Sequence, residues 1–176
     1  MKKILLLSLI LTSALFAEAK IYMGAGYASS NELTDFANSP DEKTYVSDVI
    51  RVKAGYGVRE AYAVEFSMDY ISGEKKKYAF DINLIKAFDW GIYVNPFVKI
   101  GFGAGMVDKI GTTSKTYTYG AFNLGTGIYI PIGENFDIEL AYEYKNLSYQ
   151  KENELDGTES NTANVNIGYI GFNVRF

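Results

Sequence analysis

Residues 61–71, Ala-Tyr-Ala-Val-Glu-Phe-Ser-Met-Asp-Tyr-Ile, alternate between two kinds of side chain. Every second side chain is large and apolar or aromatic: Tyr62, Val64, Phe66, Met68 and Tyr70. The side chains between them are small or charged: Ala63, Glu65, Ser67 and Asp69. A period of two predicts a β-strand whose faces meet different surroundings.

The same alternation recurs along the chain and predicts eight strands. They cover residues 20–29, 48–58, 61–71, 77–87, 93–106, 117–130, 135–147 and 163–176. Short turns are predicted around residues 59–60, 88–91 and 131–134, and longer polar loops at 30–47, 72–76, 107–116 and 148–162. Short turns that alternate with longer loops are typical of a transmembrane barrel with both chain ends on the turn side. The predicted fold is therefore all-β, an eight-stranded antiparallel up-and-down transmembrane barrel.

Ten charged side chains share the less bulky face of these strands with many glycines. They are Arg51, Lys53, Glu65, Asp69, Asp81, Lys99, Asp137, Glu139, Glu143 and Lys145. An eight-stranded barrel is just wide enough for side chains to fill it, so the bulky face would overfill the interior. We therefore predict that the ten charged residues form an interior network, and that the bulky face meets lipid. A soluble, lipocalin-like barrel with the opposite orientation of the two faces is the alternative.

The first 19 residues resemble a secretory signal peptide. Two lysines precede an apolar run, and Ala17-Glu18-Ala19 has the A-x-A pattern of a cleavage site. The run is too short for a transmembrane anchor, which is the alternative. Cleavage is expected after Ala19, with Ala17 as the second choice, so that the barrel domain covers residues 20–176.

Charge and cysteine content exclude other classes of function. The chain has 17 basic and 21 acidic side chains, and removal of Lys2, Lys3 and Glu18 leaves 15 and 20. Such an acidic balance disfavours nucleic acid as a partner. The sequence contains no cysteine, so neither disulfides nor thiol chemistry are expected.

The last strand carries apolar residues at every second position: Ile170, Phe172, Val174 and Phe176. Residues 95–105, Asn-Pro-Phe-Val-Lys-Ile-Gly-Phe-Gly-Ala-Gly, also form a Pro-aromatic-Val strand with alternating glycines. In both features the chain resembles the small eight-stranded outer-membrane proteins of Gram-negative bacteria, the group of OmpX, the OmpA barrel and the opacity proteins. The resemblance implies that the terminal pattern is the signal read by the β-barrel assembly machinery. It also implies a location in the outer membrane, among its lipids and lipopolysaccharide.

Two strands break the alternation. In the last strand Val165, Ile167 and Tyr169 have the opposite parity to Ile170, and in the sixth Tyr117 and Tyr119 are out of phase with Phe122. Bulges near Tyr169 and Gly120 would restore the phase, because one extra residue exchanges the two faces. Alternatively, these segments project beyond the membrane.

The absence of histidine is the main argument about chemistry. General base catalysis near neutral pH most often uses histidine, so we expect a protein that is not an enzyme. The carboxylates are interpreted as interior ion-pair partners. The glycines of Gly101-x-Gly103-x-Gly105 are interpreted as strand residues that leave space for side chains in a narrow interior, and not as a phosphate-binding loop. Neither a metal nor a cofactor is expected, because the acidic clusters in the loops at 30–47 and 148–162 match no cation-binding pattern. The three lysines at 75–77 are interpreted as a solvated loop in preference to a lipopolysaccharide contact.

Two hypotheses for the function remain. The first is a monomeric structural or surface-interaction protein that displays four extracellular loops for adhesion, recognition or envelope integrity. The second is a narrow, porin-like channel for small solutes or ions, which glycine-rich walls could leave open. The identity of a surface ligand does not follow from the sequence.

Overall fold

The computed structural model describes residues 19–34, 43–73, 76–108, 116–149 and 162–176. The predicted signal peptide, apart from Ala19, and most of the loops opposite the turns lie outside the described residues. Within the described residues no helix has the length and apolar character to cross a bilayer.

Eight antiparallel strands form one closed barrel in the order of the sequence, which confirms the predicted fold. The strands are β1 Lys20–Thr34, β2 Lys43–Gly57, β3 Tyr62–Ser72, β4 Lys77–Ala87, β5 Asn95–Asp108, β6 Thr116–Pro131, β7 Phe136–Tyr149 and β8 Thr162–Arg175. The first and second strands are longer than predicted, so that residues 30–34 and 43–47 of the loop expected at 30–47 belong to strands. Gly91 (φ 65°) and Gly133 (φ 91°) occupy left-handed conformations in two of the turns, where a side chain would be strained.

Pairing of β1 with β8 closes the barrel. Tyr22 lies opposite Arg175 and Thr34 opposite Ala163, and the N–H of Phe176 donates to the carbonyl of Ile21 at 2.9 Å. Paired residues followed once around the barrel lead from Tyr22 to Glu32, ten residues further along β1. With usual strand spacings this stagger corresponds to a strand tilt of about 40°.

The described strands contain no bulge, so the parity change in β6 and β8 has another cause. Residues 162–174 of β8 pair one to one with β7, and residues 163–175 pair one to one with β1. Val165, Ile167 and Tyr169 all point into the barrel, while Ile170 and Phe172 point outward. Tyr119 of β6 also points inward. Of the two explanations offered, the bulges near Tyr169 and Gly120 are therefore wrong. Tyr119, Val165, Ile167 and Tyr169 instead belong to an apolar layer of the interior.

Candidate functional site: the filled interior and the lipid-facing wall

Arg51 lies at the centre of the interior and is 1% exposed. Its Nε and one terminal nitrogen donate to the two carboxylate oxygens of Asp69 at 2.6 and 2.8 Å. Both terminal nitrogens of the guanidinium donate to Glu143, which also pairs with Lys99. Because Asp69 lies directly opposite on β3 whereas Glu143 belongs to β7, this arginine connects strands that share no backbone hydrogen bonds.

Lys145 and Lys53 make two further bridges across the interior. Lys145 contacts Asp81 at 2.5 Å and Asp69 at 3.2 Å. Lys53 contacts Glu65 at 2.9 Å and also pairs with Glu139. Every one of these side chains is buried, so water cannot screen the pairs.

Neutral groups satisfy much of the remaining hydrogen-bonding capacity. The Tyr22 hydroxyl donates to Glu65 at 3.0 Å, the Asn123 amide to Asp81 at 2.9 Å and the Asn173 amide to Glu139 at 3.0 Å. Buried charges are tolerated when each has an oppositely charged partner and neutral hydrogen-bond partners as well.

A separate ion-pair group lies at the turn end of the barrel. The Asp137 carboxylate accepts a hydrogen bond from Arg175 at 2.6 Å and forms an ion pair with Arg59 at 2.8 Å. Arg59 also donates to the carbonyls of Gly133 and Glu134 at 3.3 and 2.8 Å. The β2–β3 turn is thereby attached to the β6–β7 turn across the mouth.

A third ion pair lies near the loop end. Lys77 pairs with Glu32, and the Tyr149 hydroxyl donates to Glu32 at 3.2 Å. Lys77 is buried, so the interpretation of residues 75–77 as a solvated loop is wrong for this lysine.

Apolar layers enclose the charged layer on both sides. The layer at the turn end consists of Tyr22, Ala63, Ile85, Ala87, Phe97 and Tyr129. The layer toward the loops consists of Ala28, Val49, Ala79, Tyr119, Leu147, Ala163, Val165, Ile167 and Tyr169. The interior is thus filled through its height, as an eight-stranded barrel allows.

Glycines make room for this filling. A Cβ on Gly103 would collide with the Asp81 carboxylate, and one on Gly125 would lie 2.8 Å from the Lys99 side chain. A side chain at these positions would therefore displace a charged partner from the interior.

Bulky side chains cover the outside. Ile82 (60% exposed) and Phe102 (70% exposed) are two members of a continuous apolar band to which all eight strands contribute residues. Tyr27, Tyr70 and Tyr78 lie toward its loop side, and Tyr56 and Tyr62 toward its turn side. Such exposed apolar surface is far larger than a soluble monomer shows, but it is what a transmembrane barrel with interfacial aromatic girdles presents to lipid.

All ten charged residues of the predicted network are buried in the interior. Nine take part in the ion pairs of the central layer, and Asp137 belongs to the group at the turn end. The prediction missed Arg59, Arg175, Lys77 and Glu32. Arg175 shares the parity of Asn173 and could have been found, whereas Glu32 fell in the predicted loop 30–47. Ile170, Phe172, Val174 and Phe176 lie on the outer face; Val174 is half-buried and the others are exposed.

The interior offers little to a metal or substrate. In the described ranges no group of three or more acidic side chains is arranged to hold a metal ion. An interior cavity that these ranges enclose near Lys77 and Lys145 has a volume of about 20 Å³, which is room for one water molecule.

Comparison with known proteins agrees with this architecture. Solved structures with the same fold include Neisserial surface protein A (18% identity over 90% of this chain and 99% of that one, TM-score 0.65). They also include Ail, the attachment invasion locus protein of Yersinia pestis, in complex with a heparin analogue (18% identity, 90% of this chain and 99% of that one, TM-score 0.58). A third is the N-terminal barrel of Pseudomonas aeruginosa OprF (14% identity, 87% of this chain and 97% of that one, TM-score 0.58). No curated protein sequence matches the chain. The family model of the outer membrane protein beta-barrel domain matches residues 4–176, and the chain therefore belongs to this family of outer-membrane proteins.

Proposed function

We propose that this protein is a sealed outer-membrane scaffold whose specific function resides in four surface loops. The observation that carries this proposal is the filled interior, in which two apolar layers enclose a paired charged layer. A protein with such an interior offers its loops and its outer wall, but not its lumen, to other molecules. The short turns and chain ends would then face the periplasm.

A narrow channel is the disfavoured alternative. Ions would have to pass a layer in which Tyr119, Ile167 and Tyr169 are at most 5% exposed. We expect the folded barrel to show no unitary conductance in planar bilayers. An Ile167→Gly, Tyr169→Gly variant removes large side chains from the upper layer and serves as a control for detection. Discrete conductance steps from the wild-type barrel would refute the sealed lumen.

Nothing that the described strands place in the interior suggests catalysis. The sequence has no histidine, and Asp69, Glu143 and Glu139 are each held by cationic partners. We therefore propose that the barrel is not an enzyme.

Orientation can be tested with single cysteines because the natural chain has none. Ser160→Cys lies in the segment between β7 and β8, and the matched variant Glu134→Cys lies in the β6–β7 turn. A membrane-impermeant maleimide applied to intact cells should label the first variant, and the second only after the outer membrane is permeabilised. Labelling of Glu134→Cys in intact cells would place the turns outside and refute the proposed orientation.

The proposed loops are acidic. Residues 35–42, 74–75, 109–115 and 150–161 together contain eight acidic and four basic side chains. A basic partner is therefore favoured over an anionic polysaccharide, although a heparin analogue binds Ail. Detergent-solubilised barrel should pass through heparin resin at physiological salt, and the triple variant Glu152→Lys, Glu154→Lys, Asp156→Lys should be retained. Retention of the wild type would contradict the charge argument.

Export and assembly complete the proposal. Residues 1–19 act as a signal peptide, and mass spectrometry of protein from outer membranes should show Lys20 as the first residue. Ile170, Phe172, Val174 and Phe176 are read by the β-barrel assembly machinery, and the product is a monomer. Phe176→Ala should reduce outer-membrane yield in cells while refolding from urea remains possible. Equal outer-membrane yields of the wild type and Phe176→Ala would show that Phe176 is not part of the assembly signal.

A further inference from the structure

Lys86 is an outward-facing cation at the turn end of the lipid-facing wall. It lies on the outer face of β4, opposite Tyr62 on β3 and Val98 on β5. Among the described side chains of the eight strands, it is the one cation that points outward. A charge at this position requires a reason, because neighbouring residues on the wall, such as Leu84 and Val98, are apolar and exposed.

Aromatic rings hold the Lys86 ammonium at the edge of the apolar band. Its Nζ lies 4.2 Å from the centre of the Tyr62 ring and 5.7 Å from that of Phe88. No carboxylate of the described residues lies within ion-pair distance of this nitrogen. The charge is thus positioned by the quadrupoles of two rings and remains available to an anion.

The β4–β5 turn extends this surface. Phe88 donates its N–H to the carbonyl of Pro96 at 2.8 Å, and the Asp89 carboxylate accepts the N–H of Gly91 at 2.8 Å. Trp90 is 65% and Tyr93 74% exposed. Trp90 lines a shallow groove of the outer wall together with Pro96 and Ile128, so the turn follows the wall.

We propose that Lys86, the rings of Tyr62 and Phe88 and the β4–β5 turn form a binding site for an anionic phospholipid. The ammonium would bind the headgroup phosphate, while Trp90 and Tyr93 lie at the level of the glycerol backbone, where amphipathic rings prefer to be. In the orientation proposed above the lipid belongs to the periplasmic leaflet. The site itself does not depend on that orientation.

The single tryptophan of the chain allows a direct test, because Trp90 reports the lipids next to the turn. The full barrel is reconstituted in vesicles of phosphatidylcholine and phosphatidylglycerol in which only one of the two lipids carries brominated chains. The ratio of the two quenching curves gives the relative occupancy of the neighbouring lipid. Symmetric vesicles present the same lipids to the site in either orientation of the barrel.

At low salt we expect brominated phosphatidylglycerol to be preferred about fivefold, which corresponds to about 1 kcal/mol for one lysine at a membrane surface. Lys86→Gln should bring the ratio close to one, and Lys86→Arg should preserve the preference. Lys20→Gln, which removes an exposed lysine at the same end of the barrel, is the matched control and should leave the ratio unchanged. High salt should reduce the preference of the wild type, a measurement that needs no variant.

Three results would overturn the proposal. Equal quenching of the wild type by both lipids would show that the site has no preference for an anion. A preference that persists in folded Lys86→Gln would assign it to other residues. Absence of quenching by either lipid would show that the turn faces water, as it would if it docked on a periplasmic protein.

Discussion

The contact between Arg51 and Asp69 tests whether the interior charges stabilise the barrel as pairs. Arg51→Met removes the charge but retains most of the volume of the side chain. It leaves Asp69 and Glu143 buried with one cation each, Lys145 at 3.2 Å and Lys99. Removal of one partner of a buried pair typically costs 3–5 kcal/mol, and the remaining lysines place our expectation at about 3 kcal/mol.

The double variant Arg51→Met, Asp69→Asn distinguishes pairing from packing. In it Lys145 keeps Asp81 at 2.5 Å and Glu143 keeps Lys99, so each remaining charge retains a partner. Asp69→Asn alone leaves Arg51 with Glu143 and should cost about 2–3 kcal/mol. We expect the double variant to be about as stable as the Arg51→Met variant, with a coupling energy of about 2–3 kcal/mol.

Equilibrium unfolding in urea, with the barrel in lipid vesicles, measures these free energies. Trp90 fluorescence and the mobility difference between heated and unheated protein provide two independent signals. Glu60→Gln, at an exposed turn position, is the control and should change stability by less than about 0.5 kcal/mol. If the effects of the two single variants add within about 0.5 kcal/mol, the interpretation of these charges as a pair is refuted.

Two further predictions concern neutral positions of the interior. Gly26→Ala should destabilise the barrel by about 1–3 kcal/mol, because its Cβ would meet the backbone of Gly171 at 2.6 Å and the Tyr169 ring at 2.7 Å. The control is Gly168→Ala, where a Cβ would meet nothing within 4 Å, and it should be neutral in the same urea assay. Tyr22→Phe should cost about 1.5–3 kcal/mol, because Glu65 loses a buried donor. An unchanged urea midpoint would mean that this hydrogen bond contributes nothing, and Tyr93→Phe, at an exposed position, is the control.

The fold could be predicted because alternation is a local property of the sequence. In β3 each of the residues from Tyr62 to Asp69 has the burial that its parity predicts. The membrane orientation of the two faces also followed from the sequence, because an eight-stranded interior cannot hold all the bulky residues.

The apolar layers could not be predicted in this way, because alternation records which face a residue occupies and not which layer. Val165 and Ile167 point inward like Asn173, at the other end of the same strand. The expectation of a polar interior therefore left two explanations for the change of parity, a bulge or a segment that projects beyond the membrane. The strand ends were missed for a related reason: residues 30–34 and 43–47 carry polar and apolar side chains on both faces, so the sequence pattern loses its contrast there.

The arrangement of the interior also explains how the register of the strands is specified. A slip by one residue exchanges the two faces and would place charges in lipid, so alternation alone prevents it. A slip by two residues preserves the faces, and in a wall of similar aliphatic residues it costs little on the outside. Inside, however, such a slip between β2 and β3 would separate Arg51 from Asp69, which lie directly opposite each other in the observed register. The low dielectric between the two apolar layers makes a misplaced charge costly, and we infer that the charged layer selects among registers that the outer face cannot distinguish.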